Sequence, residues 1–128
     1  MKIEHIALYC IDLEQMRSFF TDLLGCVAGE MYHNKKLNFK SYFLTFPDNG
    51  CRLEIMTRPE IDKEQRNPLR AGLIHIAVAL GTREAVDETT ARIVAHGYEC
   101  ISFPHITGDG YYESCIVGPE GLFVELTV

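Results

Sequence analysis

A chain of 128 residues, 47% hydrophobic and 23% charged, has the balance of one compact domain or of two small modules sharing a core. Its formal net charge of −6 gives no electrostatic reason to expect nucleic acid or an anionic membrane as partner. No apolar run approaches the ~20 residues of a membrane span, and no cationic segment followed by an apolar run opens the chain.

Residues 2–10 read as a first strand. Asp12 then caps a helix predicted over 13–24, with Gln15 completing a capping-box pattern. Met16, Phe19, Phe20, Leu23 and Leu24 form one apolar stripe on that helix, and Gly25 ends it. Strands are expected near 26–32, 38–46 and 51–57, with a turn at Pro47-Asp48-Asn49-Gly50 before the last. Residues 58–70 are polar and carry two prolines, the mark of a linker. The same order then returns: a strand over 73–80, a helix over about 83–96 capped by Thr82, and strands near 98–103, 111–117 and 121–127. Ala85, Val86, Thr89, Ile93 and Val94 are the expected inner stripe of the second helix, and Gly97 ends it. The expected architecture is α+β, two tandem βαβββ modules (1–57 and 71–128) joined by the linker 58–70.

The repeat also shows in the residues themselves. Ile3-Glu4-His5-Ile6-Ala7-Leu8 is echoed by Leu73-Ile74-His75-Ile76-Ala77-Val78, with the two histidines 70 positions apart. Glu54 and Glu125 are 71 apart, each four residues after a turn glycine, Gly50 or Gly121. Alternate residues of a strand share a face. His5 therefore lies with Ala7, opposite Ile6 and Leu8, and His75 lies with Ala77, opposite Ile76 and Val78. Glu54 faces away from Leu53 and Ile55, and Glu125 away from Val124 and Leu126. All four polar groups thus avoid the faces that the helices cover.

A single strand histidine is ordinarily a hydrogen-bonded groove residue, and a single strand glutamate is ordinarily solvated. Four such groups at matched positions of a duplicated unit point instead to a divalent metal site. Imidazole with carboxylate suits nickel, iron, manganese, cobalt or zinc, and four protein ligands leave two octahedral positions for substrate or water. Five cysteines, Cys10, Cys26, Cys51, Cys100 and Cys115, are an odd number with no Cys-x-x-Cys. They read as reduced small hydrophobes of a cytoplasmic protein.

These residues resemble the vicinal oxygen chelate superfamily, the group of glyoxalase I, bleomycin resistance proteins and extradiol dioxygenases. The resemblance covers essentially the whole chain. It is carried by Ile3-Glu4-His5-Ile6-Ala7, Phe19-Phe20-Thr21-Asp22-Leu23-Leu24-Gly25 and Leu53-Glu54, then by Gly72-Leu73-Ile74-His75-Ile76-Ala77 and Gly118-Pro119-Glu120-Gly121-Leu122-Phe123-Val124-Glu125. It implies a single domain of curved sheets around a cleft, with one divalent metal held by His5, Glu54, His75 and Glu125. It also implies a homodimer, with the cleft built within one chain or shared between two.

The closest implied activity is of the glyoxalase I (lactoylglutathione lyase) type: isomerisation of the hemithioacetal of a thiol and an α-oxoaldehyde through an enediolate. Glu125 is then the general base, with Glu54 as ligand and possible catalytic partner. The implied partner is a small-molecule substrate, in that case a thiol adduct. Bacterial glyoxalase I enzymes often carry Arg four residues after the first ligand histidine and Asn four after the first glutamate. Here those positions are Tyr9 and Arg58. Arg52 or Arg58 is an alternative anion partner. The other classes in view are a different metalloenzyme of the superfamily (epimerase, dioxygenase or thiol-transfer resistance enzyme) and a metal-free small-molecule or drug-binding protein. Of the remaining histidines, His33 and His105 are expected in loops, and His96 at a helix end as a structural residue. Thr107-Gly108-Asp109-Gly110 reads as a hairpin turn, the alternative being a lid.

Overall fold

The computed structural model describes residues 1–48, 50–64, 67 and 69–128. Asn49 of the expected 47–50 turn, and Gln65, Arg66 and Pro68 of the expected linker, lie outside the described residues. The chain divides into two compact units, Met1–Glu64 and Gln65–Val128.

The first unit runs β1 (His5–Tyr9), α1 (Leu13–Ser18), β2 (Val27–Ala28), β3 (Tyr32–Asn34), β4 (Phe39–Thr45) and β5 (Arg52–Thr57). Its sheet has the order β1-β5-β4-β2, with β3 also on β4, and β1 lies parallel to β5. Asp12 accepts from the Gln15 N–H at 2.9 Å and so starts α1 as its sequence predicts. The helix does not continue as α to residue 24. Phe19–Leu23 form a π turn, and the Cys26 N–H closes back on the Phe20 carbonyl at 3.0 Å. The apolar stripe is the same for both windings: Met16, Phe19, Phe20, Leu23 and Leu24 are all buried. Phe20 meets Phe19 and Phe46 edge-on, which fills the space beneath the wide turn. Gly25 then reverses the chain at φ +70°, a conformation that side chains resist.

The strand expected near 26–32 is two short pieces. Ala28 pairs with Leu44 and Tyr32 with Ser41, so four steps on one strand oppose three on the other, and the extra residue is a bulge. His33 belongs to β3 and not to a loop.

The second unit runs β6 (His75–Ala79), α2 (Arg83–Ala95), β7 (Glu99–Ile106), β8 (Tyr112–Val117) and β9 (Phe123–Thr127), in the sheet order β6-β9-β8-β7 with β6 parallel to β9. Thr82 caps α2 by accepting from the Ala85 N–H at 3.1 Å. The buried stripe is Val86, Thr89, Thr90 and Ile93: three of the expected residues are inside, while Ala85 is half-buried, Val94 is exposed and Thr90 takes a place in the stripe. The Thr90 hydroxyl bridges the Val86 carbonyl (2.7 Å) and the Ser114 hydroxyl (2.6 Å), which satisfies both buried side chains. Strand β7 is longer than expected and carries two register shifts, the second spanning Pro104, whose missing N–H suits a bulge. His105 therefore sits within β7. Thr107–Tyr111 close as a hairpin, Thr107 N–H to Tyr111 carbonyl at 2.8 Å. A 3-10 turn over Pro119–Gly121, with Glu120 at φ +55°, leads into β9.

Both helices are fixed to their sheets by the same device. Tyr42 donates to Glu14 of α1 at 2.8 Å with Arg17 near its ring, and Tyr112 donates to Asp87 of α2 at 2.7 Å with Arg83 over its ring. With the helix on one face, the opposite face of each sheet carries the polar groups.

Candidate metal centre

Parallel pairing of the first and last strand of each unit is what sets histidine beside glutamate. In the first unit His5 is opposite Arg52 and Ala7 opposite Glu54. In the second, His75 is opposite Phe123 and Ala77 opposite Glu125. The register is the same, so in both units the imidazole and the carboxylate stand two residues apart on one face. Ala7 and Ala77 leave the space between them open. His5 Nε2 lies 4.0 Å from Glu54 Oε2, and His75 Nε2 lies 3.2 Å from Glu125 Oε2. The carboxylates are the deeper partners, 17% and 23% exposed, while the imidazoles are about 40% exposed. Buried Leu53 and Ile55, and buried Val124 and Leu126, anchor the two glutamate strands from behind.

The structure thus pairs His5 with Glu54 and His75 with Glu125. Within neither unit do the described residues gather three or more His, Cys, Asp or Glu into a metal-holding group. Donors bound to one ion at ~2.1 Å stand about 3.0 Å apart at a right angle and about 3.4 Å apart at a tetrahedral angle. The 3.2 Å pair of the second unit falls between these values. The 4.0 Å pair of the first unit is wider than either value. Donor type in both units, and spacing in the second, fit a borderline divalent cation.

The neighbours of the two pairs differ. In the first unit Glu4 accepts from His5 Nδ1 at 2.5 Å, and Arg52 Nε donates to Glu4 at 2.8 Å with a second contact through its terminal nitrogen. The Arg52 guanidinium lies 4.3 Å from the centre of the Phe43 ring, and Phe43 meets His5 edge-on at 5.3 Å. Hydrogen bonds from His5 and Arg52 hold the Glu4 carboxyl below its ordinary range. In the second unit Cys115 stands opposite Glu125, where Phe43 stands opposite Glu54. Burial, and then the charge of Glu125, push the Cys115 thiol up to about 11, so it stays protonated at neutral pH.

Neither arginine considered as an anion partner is uncommitted. Arg52 is held by Glu4, and Arg58 donates to Glu60 at 2.9 Å. Sequence reasoning missed a cavity of about 350 Å³ in the first unit, lined by Asn38, Lys40, Thr57, Arg58, Ile61 and Lys63 among others. Its signal in the sequence is faint, since its three cations come from β4 and from the polar stretch after β5. His96 accepts its structural role, its Nδ1 bonded to the Arg92 carbonyl at 2.8 Å, and His105 Nδ1 is bonded to the Phe103 carbonyl at 2.8 Å. No helix among the described residues is long and apolar enough to cross a membrane.

The sequence matches the Glyoxalase/Bleomycin resistance protein/Dioxygenase superfamily over residues 2–126. The chain belongs to that superfamily. The chain is 26% identical over 127 residues to the uncharacterised protein YqjT of Bacillus subtilis (strain 168), covering 97% of this chain and 96% of that one. Its fold is similar to the crystal structure of a glyoxylase/bleomycin resistance protein/dioxygenase domain from Frankia sp. EAN1pec, with a TM-score of 0.87 at 12% identity, covering 100% of this chain and 97% of that one. It is also similar to glyoxalase I from Zea mays, with a TM-score of 0.82 at 19% identity over 98% of this chain and 44% of the maize chain. At these identities the two structures bear on the fold, and the superfamily fold of two sheets with few helices is the one seen here.

Proposed function

We propose that the protein is a metal-dependent lyase or isomerase of the glyoxalase I type, in which His5, Glu54, His75 and Glu125 hold one divalent cation. The observation that supports this reading most is the identical strand register that sets an imidazole beside a carboxylate in each unit. When bound, the cation supplies Lewis acidity toward negative charge developing on two neighbouring substrate oxygens. The remaining work falls to the chain. Glu125 takes the carbon-bound proton of the hemithioacetal, and the electron pair left on carbon forms the enediol double bond. Glu125 then returns the proton to the adjacent carbon, while the hydroxyl proton of the first carbon passes to the neighbouring oxygen and the first carbon becomes the carbonyl of a thioester. No oxidant or second substrate is needed. Cys115, protonated beside Glu125, supplies no competing thiolate nucleophile.

The protein acts as a homodimer in the cytoplasm on this reading.

The deciding experiment is elemental analysis of protein purified without chelator, beside His75→Ala. Near-stoichiometric divalent metal that the variant loses is the expected result, followed by turnover of thiol–oxoaldehyde hemithioacetals with nickel, cobalt, manganese or zinc. Wild-type protein that takes up no metal after reconstitution would overturn the lyase reading and leave a small-ligand binding protein.

A further inference from the structure

The two units can be compared position by position because their strand registers coincide. His5 corresponds to His75, Glu54 to Glu125 and Ala7 to Ala77. Two positions break the likeness. Glu4 corresponds to Ile74, and Arg52 corresponds to Phe123. A carboxylate and a guanidinium are therefore placed around one imidazole and not around the other.

Around His5 they close a ring of four residues. Glu4 accepts a hydrogen bond from Nδ1, Arg52 grips Glu4, Phe43 lies under Arg52, and the Phe43 ring meets the imidazole edge-on. An anionic acceptor on Nδ1 fixes the tautomer, since Nδ1 must carry the hydrogen and Nε2 must present its lone pair. It also raises the electron density available at Nε2. That nitrogen is the one directed toward Glu54. The guanidinium holds the carboxylate in place, where an exposed glutamate would otherwise sample several rotamers.

We propose that Glu4, clamped by Arg52, is a positioning residue that locks His5 as the Nδ1–H tautomer, making the first unit the pre-organised half of the metal centre. The inference rests on the metal reading above for its purpose but not for its test. His75 has no such clamp: Ile74 stands where Glu4 would, and its Nε2 lies 3.2 Å from Glu125 Oε2.

The test is a long-range ¹H–¹⁵N correlation spectrum of metal-free protein, taken well above the ordinary histidine titration range, with His5→Gln assigning the His5 signals. Wild-type protein is expected to show His5 as a nearly pure Nδ1–H tautomer. Glu4→Ile, which installs the residue found at position 74, should convert His5 to a mixture dominated by Nε2–H and leave the His75 signals in place as a control for folding. Glu4→Gln retains an acceptor oxygen and should restore most of the Nδ1–H form. Should Glu4→Ile fail to fold, Arg52→Met reads the same clamp and should raise the minor tautomer. Zn²⁺ titrated against a competing chelator should bind Glu4→Ile about 10- to 100-fold more weakly than wild type. An unchanged His5 tautomer in Glu4→Ile overturns the inference whether or not metal binds. Wild-type protein with a locked tautomer and no Zn²⁺ affinity overturns the metal reading alone.

Discussion

The first unit builds its interior from aromatic rings and adds Glu4 and Arg52 around its imidazole; the second places hydroxyls in its interior and has apolar residues at those two positions. Phe20 is fully buried in the first, and Thr90, 70 positions later, is buried in the second against Ser114. Behind His5 stand Glu4 and Arg52; at the matching positions near His75 stand Ile74 and Phe123. What the units share is narrower than a composition or a core. It is a strand register, a helix on one face, and an imidazole two residues from a carboxylate on the other. A duplicated fold can exchange nearly all its packing while retaining that register, because backbone hydrogen bonds set the register and side chains only have to fill the space it leaves.

The comparison is broken most sharply at the glutamates. On the proposed mechanism Glu125→Gln should lower kcat by about 10²- to 10⁴-fold with metal content retained. Glu54→Gln should act mainly through metal affinity, seen as activity that returns when metal is raised. Equal kcat losses at saturating metal would mean that the two carboxylates share the proton transfer. Next in size is the aromatic interior. Phe20→Ala should destabilise by about 3–5 kcal/mol in denaturant unfolding, from lost burial plus a cavity. The hydroxyl interior should respond less, and for a different reason. Thr90→Val keeps the shape but leaves the buried Ser114 hydroxyl without its Thr90 partner, at a cost of about 1–3 kcal/mol. A double Thr90→Val, Ser114→Ala variant should recover part of that loss.

The last effect is electrostatic and is felt only at high pH. Burial pushes the Cys26 thiol from its usual 9.0 up to about 12. In the unfolded chain the same thiol ionises near the lower value, so its contribution to stability is intact below about pH 9 and is lost as pH rises toward 12. The slope is about 1 kcal/mol per pH unit within that window. Thermal melts of wild type and Cys26→Ala between pH 8 and 11 should therefore converge, with Cys115 of the second unit supplying part of the slope that remains. Parallel curves would mean that the buried thiol plays no part.

Much of this was legible in the sequence because two periodicities suffice for it. Alternation placed His5 with Ala7, and Glu54 away from Leu53 and Ile55, and a 3.6-residue stripe identified every buried side chain from Met16 to Leu24. The same rules explain what was not legible. A stripe of apolar residues reads the same across an α or a π turn, so the winding at Phe19–Leu23 left no trace. Thr90 reads as a surface residue because its buried partner, Ser114, lies on another element and is equally polar. Val94 continues an apolar count past the point where the helix has turned away. Glu4 was passed over because neighbouring residues of a strand point to opposite faces; it lies just before β1, where its side chain can fold back to His5. The basic cavity draws on residues more than twenty positions apart, which no local pattern connects.

The π turn has a consequence for how this chain can change length. The turn at Phe19–Leu23 is wound wide, yet Leu13, Met16, Phe20 and Leu23 keep the spacing of one regular helical stripe and all are buried. Removing one residue from that stripe would turn the part before the gap by roughly 100° against the part after it and carry Leu13 and Met16 toward water. The first helix is thus open to replacement of its residues but closed to deletion.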